Sequence, residues 1–133
     1  MKKTDLCPCC SGKPYGDCCN VFLGSTTPTA TAEQLMRSRY TAFVLQKAQY
    51  LIDTHHPDFR SQDELKSLKK SFKGMVWHDL EIIHTELGQV VDATGVVEFK
   101  ASFSCLGKHD VIHERSQFIK EQEQWFYTTG TMF

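Results

Sequence analysis

An α+β domain, with helices packed on a curved antiparallel sheet and a small cysteine-rich module ahead of it, is what this 133-residue sequence predicts. Three observations carry that expectation. Five of the six cysteines fall within the first nineteen residues. Helical periodicity is confined to the stretch from about residue 31 to 74, and nearly everything after it reads as strand. Helices followed by a run of strands imply an α+β layer arrangement, and no helix-sized crossover separates the last strands, so they pair antiparallel.

The first element is the string CPCCSGKPYGDCC, from Cys7 to Cys19. Cys7 and Cys9 form a Cys-x-Cys pair, and Cys18 and Cys19 are adjacent. The residues between them include Gly12, Pro14 and Gly16, so the chain can turn back on itself. Thiolate sulfur is a soft donor and zinc imposes no redox chemistry, so a closed tetrahedron of four sulfurs around one structural zinc is the leading reading. Disulfide or thiol chemistry is the alternative. Cys10 is a fifth thiol that either joins the ligand set or is turned away by the geometry of Cys9.

The string resembles the SEC-C motif, in which Cys-Pro-Cys-Gly-Ser-Gly-Lys is followed by Cys and then Cys or His. Cys7, Pro8, Cys9, Ser11, Gly12, Lys13, Tyr15, Cys18 and Cys19 fall in place, and Cys10 stands where the motif has glycine. The resemblance implies Cys7, Cys9, Cys18 and Cys19 as the zinc ligands.

A module of about 22 residues cannot fold by burial alone, so the metal must supply most of its stability. The organisation expected is a knuckle over residues 1–22, a linker over 23–30 reading LGSTTPTA, and one domain over 31–133. Thr31 with Gln34 forms a capping box, and Ala32, Leu35, Met36 and Phe43 then share a helix face. A second helix is expected from about Ala48 to His55, stopped by Pro57. Ser61 with Glu64 opens a third, ending near Gly74. Its other face, Lys66, Lys69, Lys70 and Lys73, reads as solvated. Strands follow in MVWHDLEIIHTEL, TGVVEFKASFSCL, DVIHERSQFIKE and QWFYTTGTMF. In the second, Val97, Phe99, Ala101, Phe103 and Cys105 alternate with Glu98, Lys100, Ser102 and Ser104.

This order resembles the nuclear transport factor 2-like fold, a cone whose mouth can hold a ligand. LMRSRYTAFVLQKAQYLIDTHHP, VVEFKASF, HERSQFI and WFYTTG are similar to the YchJ-like family, in which a SEC-C knuckle precedes such a domain. The family brings no established activity.

The net charge of −1 offers no global attraction to nucleic acid or anionic membrane. The start of the chain lacks a hydrophobic signal core and no stretch is apolar enough to span a bilayer, so a cytoplasmic location is expected. A reducing compartment favours metal over disulfide.

In the domain, Arg39 lies at the centre of an apolar helix face and needs a partner after desolvation. Strand alternation puts Glu114 on the face of Ile112, Ser116 and Phe118, so an Arg39–Glu114 pair is expected, with Glu98 as the substitute partner. Tyr40, His55 and Trp77 complete a candidate pocket. No nucleophile or carboxylate is placed beside His55 and His56 by spacing, so catalysis is not the expected reading. His109 and His113, four residues apart on a strand, lie about 13 Å apart, too far for one ion.

Two functions follow. In the first, the zinc knuckle is an interaction module. The resemblance implies a protein or ribosomal partner, because the SEC-C knuckle of the bacterial translocation motor contacts both a chaperone and the ribosome. In the second, the cone binds a small molecule or acts as an isomerase or dehydratase. An open cavity of several hundred cubic ångströms favours the second, and a cone filled by Phe43, Phe99, Phe103 and Trp125 excludes it.

Overall fold

In the computed structural model, which describes residues 1–133, four α-helices precede four strands. The helices are α1 (Asn20–Leu23), α2 (Ala32–Leu45), α3 (Ala48–Asp53) and α4 (Glu64–Ser71). The strands are β1 (Met75–Leu87), β2 (Thr94–Cys105), β3 (Lys108–Glu121) and β4 (Gln124–Met132). They form one antiparallel sheet in the order β1-β2-β3-β4, as the short connections require.

Helix α2 starts where its cap places it. Thr31 Oγ1 accepts from the Gln34 N–H at 3.2 Å, and Gln34 Oε1 reaches back to the Ala30 N–H at 2.8 Å, one residue earlier than a reciprocal box would have it. Ala32, Leu35, Met36 and Tyr40 are buried against the sheet residues Leu80, Val97, Phe99, Ala101, Phe118 and Trp125. Each large apolar side chain fully buried there contributes roughly 1.5–3 kcal/mol.

Two helix boundaries differ from the expected ones. Helix α3 ends at Asp53, and Pro57 occupies the first turn of a 3-10 segment, Pro57–Phe59, where its missing N–H costs nothing. Ser61 does not cap α4: Asp63 is the N-cap residue and makes no side-chain cap bond. The Glu64 carboxylate that the capping box needed is held instead by His55 Nδ1 at 2.5 Å.

Sheet irregularities keep the inner face apolar. A bulge between Trp77 and Asp79 turns both Trp77 and Leu80 toward the helices, although their spacing would put them on opposite faces of a regular strand. Register pairs Val97 with Ser116, Phe99 with Glu114 and Phe118 with Tyr127, which brings Glu114, Ser116 and Tyr127 onto that same face. At the other end, Gly88 and Gly95 let the β1–β2 turn meet α2. A β-carbon on Gly95 would lie 2.6 Å from Gly88 Cα.

The sequence suggested a separate knuckle joined to the domain by a linker, whereas in the structure knuckle and domain share one buried cluster. Cys7, Cys9, Tyr15 and Cys19 belong to the same buried cluster as Leu35, Tyr40 and Phe118. The segment from Gly24 to Thr31 has no regular element, yet Thr29 is buried and Trp125 Nε1 donates to Ala30 O at 3.1 Å.

Candidate functional site

The knuckle is a tight loop closed by its own backbone. Leu6 and Pro14 form an antiparallel bridge, Cys7 N donates to Lys13 O at 2.9 Å, and Cys10 N donates to Cys7 O at 3.2 Å. That turn puts Cys10 in the left-handed region, with φ of 64°. Glycine adopts this conformation without strain, which explains physically why the motif has glycine at this position. The Cys10 side chain is exposed and its thiol donates to Pro8 O at 3.5 Å.

The other four sulfurs converge. Cys7, Cys9, Cys18 and Cys19 bring their Sγ atoms within 4.8 Å of one another, with Cys9 and Cys18 at 3.6 Å, and all four are free thiols. Zinc–sulfur bonds of about 2.3 Å in a tetrahedron set sulfur–sulfur edges of about 3.8 Å, so the four donors fit such an ion. Their mutual electrostatics point the same way. Contacts with Cys19 and then Cys7 hold the Cys9 thiol below its ordinary value, while contacts with Cys7 and Cys9 push Cys19 up. A divalent cation at the centre would relieve this competition for protons.

Helix α2 supports the cluster from behind. Thr41 Oγ1 donates to Cys19 Sγ at 3.3 Å and lies 3.7 Å from Cys7 Sγ, and Arg37 Nη1 donates to Cys9 O at 2.7 Å. Burial would lower the Arg37 guanidinium, but Glu33 at 3.0 Å and the nearby Cys9 hold it above its ordinary value. Arg37 and Thr41 escaped sequence reasoning because neither carries a motif; only the docking of the loop on α2 gives them a role.

The opposite face of α2 lines a cavity of about 310 Å³ between helices and sheet. Tyr40, Phe43, Phe72, Trp77 and Phe99 supply aromatic walls, with Tyr40 edge-on to Trp77 at 5.7 Å between ring centroids. Ser71 is the exposed residue on its rim. Phe43 and Phe99 therefore line the cone without filling it, and Trp125 is packed elsewhere.

Arg39, Glu114, Ser116 and Tyr127 are its polar residues apart from Tyr40 and Ser71. The expected Arg39–Glu114 ion pair does not form. Arg39 Nη1 instead donates to Leu51 O at 2.8 Å and Thr54 Oγ1 at 2.7 Å, placing a cation at the C-terminal end of α3, and the guanidinium lies 4.8 Å from the centre of the Tyr127 ring. Burial lowers the Arg39 pKa to about 10, opposed by the fields of Tyr127, Tyr50, Glu64 and Glu114. Glu114 Oε2 accepts from Tyr127 at 3.1 Å and Ser116 at 2.5 Å. Burial first, then Glu114, raises the Tyr127 phenol, so it stays a donor at neutral pH. Gly130 opens the space for this carboxylate: a β-carbon there would fall on Glu114.

Of the candidate pocket residues, the structure brings together Arg39, Tyr40, Trp77 and Glu114. It removes two. Glu98 lies on the outer face, bonded to His113 Nε2 at 2.7 Å and Arg115 Nη2 at 3.4 Å, because strand alternation sends it opposite to Phe99. His55 is tied to Glu64 and, at 3.3 Å, to Thr128 O. Tyr127 and Gly130 were missed because their roles depend on how β3 and β4 register.

A nuclear transport factor 2-like cone with a SEC-C cysteine cluster docked on its long helix is the class that fold and site define. The family model described as YchJ, middle NTF2-like domain matches residues 31–130, and the SEC-C motif matches residues 4–20. The chain belongs to the YchJ-like family. Among its relatives, a UPF0225 protein of Geobacter sulfurreducens is 39% identical over 96% of this chain and 79% of its own length. Another, from Shewanella sp., is 44% identical over 93% of this chain and 79% of its own. The solution structure of RPA3114, a SEC-C motif containing protein from Rhodopseudomonas palustris, superposes with a TM-score of 0.86 at 33% identity, covering 96% of this chain and 98% of that one. The crystal structure of a SEC-C motif containing protein from Psychrobacter arcticus gives 0.76 at 28% identity, covering 100% and 86%. No helix here is long and apolar enough to cross a membrane.

Proposed function

We propose that this protein binds an apolar small molecule in its cone and that one structural zinc, held by Cys7, Cys9, Cys18 and Cys19, fixes the helix that carries the binding residues. The observation that carries this is the open cavity of about 310 Å³, aromatic along its walls and polar at Arg39 and Glu114. A purely structural cone would be packed, since an empty volume of this size forfeits contacts along its whole lining. A closed four-sulfur sphere leaves zinc no open position, so its role is to hold structure.

The test is binding of an uncharged apolar fluorescent probe, N-phenyl-1-naphthylamine, to the intact protein and to Ala101→Phe. Ala101 is buried and lines the cavity, so the phenyl ring would fill it. Loss of binding in a variant that keeps its circular dichroism supports the reading. Equal binding by both proteins contradicts it.

A second reading rests on the outer surface of the knuckle, where Leu6 is 72% exposed among exposed Lys2, Lys3 and Lys13. An exposed apolar side chain in a segment that carries three exposed lysines suits a protein partner, including an acidic ribosomal surface in the cytoplasm. Retention of every co-purifying partner by Leu6→Ser would count against it.

A further inference from the structure

Arg39 and Glu114 both line the cavity and both contact Tyr127, Arg39 over its ring and Glu114 at its hydroxyl, without forming an ion pair with each other. Arg39 spends only Nη1 on protein acceptors, Leu51 O and Thr54 Oγ1, so Nε and Nη2 keep three N–H donors. Glu114 spends only Oε2, on Tyr127 and Ser116, so Oε1 remains an acceptor. Both residues line the cavity, and neither Arg39 nor Glu114 Oε1 is among the buried polar atoms left without a partner. Their spare groups therefore reach open space.

From this arrangement, and resting on the small-molecule reading above, we infer that the cone selects ligands with an uncharged amide-type head group on an aromatic or aliphatic body. The amide carbonyl accepts from Arg39, and its N–H donates to Glu114 Oε1. The body lies among Tyr40, Phe43, Trp77 and Phe99. A carboxylate head would satisfy Arg39 but meet the Glu114 carboxylate at close range. An ammonium head would satisfy Glu114 but meet the guanidinium. In a low-dielectric site like-charge contacts are costly, and discrimination comes from the repulsive element as much as from the attractive one. An amide pairs both groups and leaves neither desolvated and unmatched.

Three probes of one shape separate the possibilities: phenylpropanamide, phenylpropanoate and phenylpropylamine, titrated into the full chain by calorimetry. The amide should bind at least about tenfold more tightly than either charged probe. Glu114→Gln, which keeps an acceptor for Tyr127 and Ser116, should then improve phenylpropanoate binding by about tenfold, because the like charge is gone. Equal affinity for the three probes overturns the head-group assignment while leaving the cone reading intact. Tightest binding of phenylpropanoate to the unmodified protein overturns it in favour of an anion site. Binding of none of the three also overturns it, and if the apolar fluorescent probe fails as well, the cone reading falls with it.

Discussion

The cysteine cluster and the polar cavity group lie on opposite faces of α2 and are built in contrary ways. All four convergent sulfurs come from thirteen consecutive residues, Cys7 to Cys19, brought together by one turn and one short bridge. Arg39, Glu114 and Tyr127 come from α2, β3 and β4, and meet only when helix and sheet pack. The first site is local and wants a metal to hold it. The second is non-local and is held by burial. The two sites should therefore fail differently: the cluster through loss of its ion, the cavity through any change in strand register or space.

The sharpest break is Cys9→Ser. Cys9 is completely buried, so losing its thiolate removes a donor and opens the core cluster, and stability should fall by roughly 3 kcal/mol or more. Native mass spectrometry should show the bound zinc lost in the variant and present in the parent. Retention of full metal and stability would mean that Cys10 had taken its place.

Arg39→Met tests the cavity half. It leaves Leu51 O without its side-chain donor while removing a desolvated cation, so the loss should be near 2 kcal/mol in denaturant unfolding, with zinc content unchanged. Gly130→Ala should cost about 1–2 kcal/mol, because the methyl group displaces Glu114, and it too should leave the metal alone. If either variant also releases zinc, the two faces of α2 are more tightly coupled than their separate contacts imply.

A smaller effect is expected from pH. Burial, the first cause in each case, raises the phenols of Tyr40, Tyr50 and Tyr127 in the folded protein. Above about pH 10, the ordinary tyrosine value, the unfolded chain binds fewer protons than the folded one. Stability present below that pH is therefore lost as pH rises toward the folded values. Burial raises the Tyr15 phenol as well, so ultraviolet titration should show all four tyrosines ionising late in the native protein, and Tyr127→Phe should remove one of them. Smallest of all, Lys70→Ala on the exposed face of α4 should stay within about 0.5 kcal/mol of the parent.

The contrast also explains what could be read from sequence. The convergent cysteines were legible because four soft donors fall within thirteen residues and match the SEC-C motif, and the four strands because β-branched and aromatic runs bounded by turns leave little choice. The face carrying Glu114 and Ser116 followed from alternation alone. Its partner did not: whether Arg39 meets Glu114 or Tyr127 depends on β3–β4 register and on a bulge between Ser116 and Phe118 that periodicity does not reveal. Capping failed at Ser61 for a similar reason, since a tertiary bond to His55 took the glutamate that a local rule had reserved.

The knuckle is part of the core and not an appendage. Thermal unfolding followed by tryptophan fluorescence tests it directly. Trp125 is buried in the same cluster as the cysteines, and Trp77 packs against that cluster. Stripping the metal with a chelator should lower the Tm reported by these tryptophans, in a single transition shared with the far-ultraviolet signal. A tryptophan transition that stays at the same temperature after metal removal would mean that the knuckle is an appendage after all.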